Sequence, residues 1–198
     1  MFRALPLLAL PAVLLAQDRA HWGIQGDYVT GQVPRAFVEQ IKDLPEQPVI
    51  DTKSFNAGLV RFHANGSPSW ALEFSKMQMT LEGGLATGPV RQELRATATV
   101  RGAMITKYFN FFSNRYISGG LAFGGGAGQV DASYYRFQVP PGPAVITEQD
   151  TRQLVVPLFQ ALAQVDIRPV RWISLSPFYG LRNGSLGAGG AIRIHLTR

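Results

Sequence analysis

The chain contains no cysteine. That removes thiol nucleophiles, thiolate metal ligands and a lipid-modified N-terminal cysteine, and any stable core must form without disulfides. Charged residues make up only 16% of 198 residues, and no run of five lysines or arginines occurs. A nucleic-acid partner is therefore disfavoured, although the formal charge of +6 suits an anionic surface such as membrane phosphate. Beyond residue 16 no apolar run nears the ~20 residues a transmembrane helix needs, so any later membrane span must be made of strands. No set of metal ligands and no dinucleotide fingerprint is visible, so no cofactor is implied. Gly124-Gly-Gly-Ala-Gly128 lacks the lysine and hydroxyl residue of a phosphate loop.

What the sequence does contain begins with MFRALPLLALPAVLLA, one early arginine followed by an apolar run. Residues 1–16 read as a secretory signal peptide, too short and proline-broken for a comfortable membrane anchor. The remaining 17–198 form one domain.

That domain alternates. From Glu93 to Met104, Leu94, Ala96, Ala98, Val100 and Met104 share one parity, and Glu93, Arg95, Thr97, Thr99 and Arg101 the other. Side chains of a strand point alternately to its two faces, so this segment is a strand with one oily and one charged face. Similar stretches start near residues 21, 52, 69, 117, 151, 172 and 186, which gives eight strands. A phase slip near Met77 and Met79 suggests a β-bulge. The connections run long (32–51, with two turns of helix), short (65–68), medium (82–90), short, long (138–150), short, short. An up-and-down antiparallel barrel with periplasmic turns on one side and outer loops on the other predicts this rhythm. The second, fourth and sixth connections would be the periplasmic turns.

Trp22, Trp70 and Trp172 open odd-numbered strands, and Tyr116 precedes the fifth. All four would lie at one rim, as an aromatic girdle at headgroup level. If the apolar faces turned inward, Ala96, Ala98, Ala161, Ala163 and Ala188 would fill a core thinly. Turned outward to lipid they cost little. The opposite faces then bring Asp27, Glu73, Glu93, Arg95, Arg101, Asp166, Arg168, Arg193 and His195 into a narrow lumen. Charges of both signs persist there only if paired, so a salt-bridged polar interior is expected. The fold class read from the pattern is all-β, an eight-stranded antiparallel up-and-down transmembrane β-barrel.

With its signal peptide, eight alternating strands, short turns on one side and a closing C-terminal strand, the chain resembles the small outer-membrane barrels of the OmpA, OmpX and OmpW kind. The resemblance covers about residues 20–198. It departs from the pattern at its end: the last strand closes on Ile192, Ile194, Leu196 and Arg198 without the usual terminal aromatic. The resemblance implies an outer-membrane location, contact with outer-membrane lipids including lipopolysaccharide, and insertion by the barrel-assembly machinery. A non-enzymatic role is expected, structural or adhesive, or passage of small solutes through a largely plugged lumen. Two other readings stay open. One is a soluble secreted lipocalin-like carrier with an apolar pocket. The other is a lipopolysaccharide-modifying barrel enzyme, for which His195 is the one barrel histidine and no serine stands at a matching spacing.

Overall fold

A computed structural model of the protein describes residues 20–34, 49–87, 90–139 and 145–196. The signal-peptide segment and the helix expected near residues 36–42 lie outside the described residues. Eight strands follow in order: β1 (His21–Gln32), β2 (Val49–Phe62), β3 (Pro68–Thr87), β4 (Val90–Ser113), β5 (Ile117–Val139), β6 (Val145–Val170), β7 (Ile173–Arg182) and β8 (Ser185–His195). Each pairs antiparallel with its chain neighbours, and β8 pairs with β1, so the sheet closes into an up-and-down barrel without free edges around its waist. Closure satisfies the backbone groups within the wall itself.

Turn chemistry sets the register. The β7–β8 turn is Asn183-Gly184, both with positive φ (49° and 82°), the backbone that a two-residue hairpin demands and that Asn-Gly supplies at least cost. At the opposite end, residues 63–67, 114–116 and 171–172 make the β2–β3, β4–β5 and β6–β7 turns. Asn114 and Asn65 brace two of these by accepting backbone N–H bonds through their side chains.

The strands are unequal. β1, β2, β7 and β8 have 10 to 14 residues, whereas β3 to β6 have 20 to 26. The third and fifth connections expected from the sequence are therefore largely strand. β3 and β4 pair as far as Thr87 and Val90, and β5 and β6 as far as Gln138 and Val145. Residues 145–158 of β6 pair with β5 alone; Phe159 bonds Asn183 of the next turn, and the ladder with β7 starts at Gln160. Four strands thus extend past the closed ring at the Asn183-Gly184 end.

The polarity of the wall inverts between the two zones, and this corrects the reading of the opening strand. At the turn end, Trp22, Leu59, Leu72, Ile105, Val165, Leu175 and Ile194 are exposed outside, while polar side chains fill the inside. Further along β3 and β4 the apolar residues switch faces. Met77, Val100, Met104 and Leu158 pack together inside the barrel, with Met79, Val130 and Val156 against them. Arg95 and Arg101 consequently point outward and are exposed, not luminal. The side chain of Glu93 lies outside the described residues. No bulge accompanies the switch, because β3 runs through Met77 in unbroken register with β4. The apparent phase slip is a change of environment along a regular strand. Packing space for Leu158 comes from Gly102 and Gly128, where an added Cβ would stand 2.6 and 3.0 Å from its methyl groups.

In the folded protein a cysteine replacing Arg101 is expected to react quickly with a water-soluble maleimide, and one replacing Val100 to be protected. The natural absence of cysteine makes the assay clean. Equal labelling would place the polarity switch elsewhere.

Candidate functional site in the barrel lumen

The inward positions of the short-strand zone carry a continuous polar network. Its hub is Arg193 on β8, only 2% exposed. One Nη donates to Asp166 on β6 and to Ser176 on β7, the other to Gln164 at 3.1 Å, and Nε to Gln25 on β1 at 3.0 Å. The guanidinium also lies over the Tyr108 ring, 5.1 Å from its centroid. All three nitrogens therefore have acceptors. A buried guanidinium requires this, because desolvation alone costs several kcal/mol.

Glu73 on β3 is the second centre. It accepts from Gln25, from Thr106 at 2.9 Å, from Tyr108 at 3.2 Å and from Gln160 at 2.7 Å. The third is Asp27, which accepts from Arg182 at 2.6 Å and from Asn56 at 2.9 Å. The Nε of Arg182 donates to Gln160 at 2.8 Å, so Gln160 ties the Asp27 pair to Glu73 while Gln25 ties Glu73 to Arg193. Gly124 makes this possible: an added Cβ would stand 2.7 Å from Thr106 Oγ1 and 2.9 Å from Gln160 Cγ. Near the turns, Arg168 donates to Ser118 at 3.1 Å and to the carbonyls of Asn114 and Arg115. The buried charges of this set balance, with Asp27, Glu73 and Asp166 against Arg168, Arg182 and Arg193.

The structure thus gathers Asp27, Glu73, Asp166, Arg168, Arg193 and His195 inside the barrel and leaves Arg95 and Arg101 on its exterior. Arg182 is absent from the luminal set expected from the sequence, yet it shares parity with Ser174, Ser176 and Phe178, the inward residues of β7. Gln25, Gln160 and Gln164 sit on the charged faces identified from alternation. Their bridging role is invisible until the register brings distant strands together.

His195 has partners that the sequence did not suggest. Its Nδ1 lies 2.7 Å from His21 Nε2 and its Nε2 lies 2.7 Å from Ser174 Oγ, with the Phe62 ring stacked on it at 3.9 Å. A serine, a histidine and a second histidine in line resemble a nucleophile relay in connectivity. Ser174 is, however, only 1% exposed and faces the packed lumen, so no acyl carbonyl can reach its Oγ in this arrangement. The His21, Phe62 and His195 rings pack together at the turn end of the lumen. Among the described residues no group of three His, Asp or Glu is placed to hold a metal ion.

Trp22, Trp70, Tyr116 and Trp172 are all exposed and lie at the turn end. Trp22 and Trp70 flank Arg61 in register on the exterior. A cavity of about 310 Å3 at the other end is lined by Met79, Leu81, Ala96, Ala98 and Tyr134, with the exposed Asp150–Arg152 pair at its margin. It lies beyond the polar network, within the apolar part of the interior.

Several solved structures match the chain over most of its length at low identity. The attachment invasion locus protein Ail of Yersinia pestis matches with 16% identity over 89% of this chain and 97% of that one, at a TM-score of 0.45. A second Ail structure, in complex with the heparin analogue sucrose octasulfate, matches at 14% identity over the same shares and a TM-score of 0.39. Neisserial surface protein A matches with 10% identity over 89% and 99% of the two chains, also at 0.39. No family model and no curated protein matches the chain.

Asp166→Asn leaves Arg193 buried without its counter-ion, and a loss of about 3–5 kcal/mol of unfolding free energy is expected. Replacing both partners with Leu and Met is expected to cost much less. Urea titration of the folded form, read as gel mobility without boiling, measures both; similar losses would show that the pair is not the element that matters.

Proposed function

We propose that the protein is a non-enzymatic outer-membrane β-barrel whose lumen is closed by side chains and whose long hairpins present a surface to the outside. The observation that carries this reading is the inside-out zone: apolar side chains outside and a charge-balanced, hydrogen-bonded set within. In water such an exterior would be an aggregation liability far above ordinary patch size. In a bilayer it is the expected surface. The outward residues of the last strand support the match in scale. From Leu186 to Leu196 they span about 34 Å along the chain, or about 26 Å of height at the usual ~40° tilt. That equals the ~25 Å apolar band of outer-membrane barrels.

The same distribution disfavours the soluble-carrier reading, since the middle of the lumen is ionic rather than an apolar pocket. Burial of Ser174 disfavours the lipid-modifying enzyme. The adhesive form of the role draws support from the extended sheet. Along residues 145–158 no strand among the described residues pairs with β6 on one side, and an unpaired strand edge can accept another chain by main-chain hydrogen bonds. Lipopolysaccharide phosphates are candidate neighbours for Lys76 and Arg101, which face each other outside, just above the apolar zone.

Planar-bilayer recording tests the closed lumen. The protein is expected to give no ohmic steps, and Asp27→Ala/Arg182→Ala, which removes a luminal ion pair between β1 and β7, to give small ones. Stable steps from the unaltered protein would contradict the closed reading.

A further inference from the structure

One exterior row does not fit a plain lipid-facing wall. Strand register places Trp22 opposite Arg61, Arg61 opposite Trp70, Trp70 opposite Lys107, and Lys107 opposite Phe123. Residues paired this way share a face, so two cations alternate with three aromatic rings around β1 to β5. The adjacent row, Ile24, Leu59, Leu72 and Ile105, is apolar and exposed. Phe109 and Phe111 lie on the other side of Lys107 and are exposed too. Both cations are thus set into apolar surroundings.

Among the described residues no acid relieves either one, since no ion pair involves Arg61 or Lys107. Arg61 is nonetheless only 9% exposed, opposite Trp22 on β1 and Trp70 on β3. The Lys107 ammonium stands over the Trp70 ring, 4.4 Å from its centroid, a contact that leaves its charge uncompensated. A cavity of about 1050 Å3 opens beside them, lined in part by Arg61, His63, Trp70, Lys107 and Phe111. In the β2–β3 turn the His63 imidazole is held below the usual histidine range, first by burial and then by Lys107 and Arg61, so it adds no third charge at neutral pH. Two cations beside an unfilled space, an indole in its lining and an apolar row next to them suit the phosphate and the acyl chains of a lipid.

We infer that Arg61 and Lys107 form a binding site for the phosphate of an anionic glycerophospholipid in the periplasm-facing leaflet. The acyl chains would pass over the row from Ile24 to Ile105. A net negative headgroup is favoured over a zwitterionic one, because a choline or ethanolamine cation would bring a third positive charge to the pair. The site rests on the membrane placement proposed above.

The test uses full-length protein carrying Trp172→Phe, so that fluorescence comes from Trp22 and Trp70 beside the site. It is reconstituted in phosphatidylcholine vesicles containing either brominated phosphatidylglycerol or brominated phosphatidylcholine. Stronger quenching by the anionic lipid is expected. Arg61→Gln and Lys107→Gln are each expected to lower that preference about fivefold, while Lys53→Gln, on the same exterior at the other end of β2, leaves it unchanged. Folding of each variant is checked by gel mobility without boiling. Equal quenching by both lipids in the starting protein would overturn the site. So would a preference that appears only in Asp18→Asn, which would give the cations to the chain's own carboxylate, two residues before Ala20. Loss of the preference on adding inorganic phosphate would reassign the site to a soluble anion. Absence of quenching by either lipid would instead contradict the membrane placement, and the site with it.

Discussion

Arg193 cannot be buried alone, and much of the barrel is arranged around that constraint. A guanidinium taken out of water needs its charge matched and its donors accepted. Asp166 and Ser176 supply one side, Gln164 another, Gln25 the third, and these come from β6, β7 and β1. Because Gln25 also donates to Glu73 on β3, the requirement passes across the lumen. Gln160 then carries it to Arg182 and Asp27. Five of the eight strands meet in this set, so a slip of one residue in any of them would turn a charged partner to the outside and leave another unpaired.

The same constraint explains why the outside can be apolar. A chain with few charges has enough of them to fill one narrow lumen, with almost none left for the exterior of the short-strand zone. Where β3 to β6 run on, the interior changes to Met77, Val100, Met104 and Leu158 and the exterior to Lys76, Arg95 and Arg101. One set of continuous strands therefore carries two solvents' worth of design. Around its waist it is built for hydrocarbon outside, and beyond that for water outside.

Strand number, order and closure were legible from alternation and turn residues, because period-two patterning and Asn183-Gly184 are local signals. The inward placement of Asp27, Glu73, Asp166, Arg168, Arg193 and His195 was legible for the same reason. Arg95 and Arg101 were misplaced because parity says which residues share a face and not which medium that face meets. On β4 the charged face is the outer one, and only the contact of Val100 and Met104 with Met77 and Leu158 on other strands shows it. The sheet continues through part of the connection expected over 82–90, since pairing across β3 and β4 outweighs the weak strand propensity of Gly83 and Gly84. Ser174 beside His195 and the Trp22–Arg61–Trp70–Lys107 row could not be seen at all. They depend on register between strands, which no single segment encodes.

The central claim is that hydrocarbon covers the exterior from the turn end to the level of the polarity switch and stops there. A nitroxide placed in turn at the odd positions of β6, from 151 to 167, measures this by its relative accessibility to oxygen and to a water-soluble nickel chelate in reconstituted bilayers. The account predicts oxygen access at 157 to 165, nickel access at 151 and 153, and a crossover between. Nickel access along the whole series would contradict it, as would oxygen access continuing through 151.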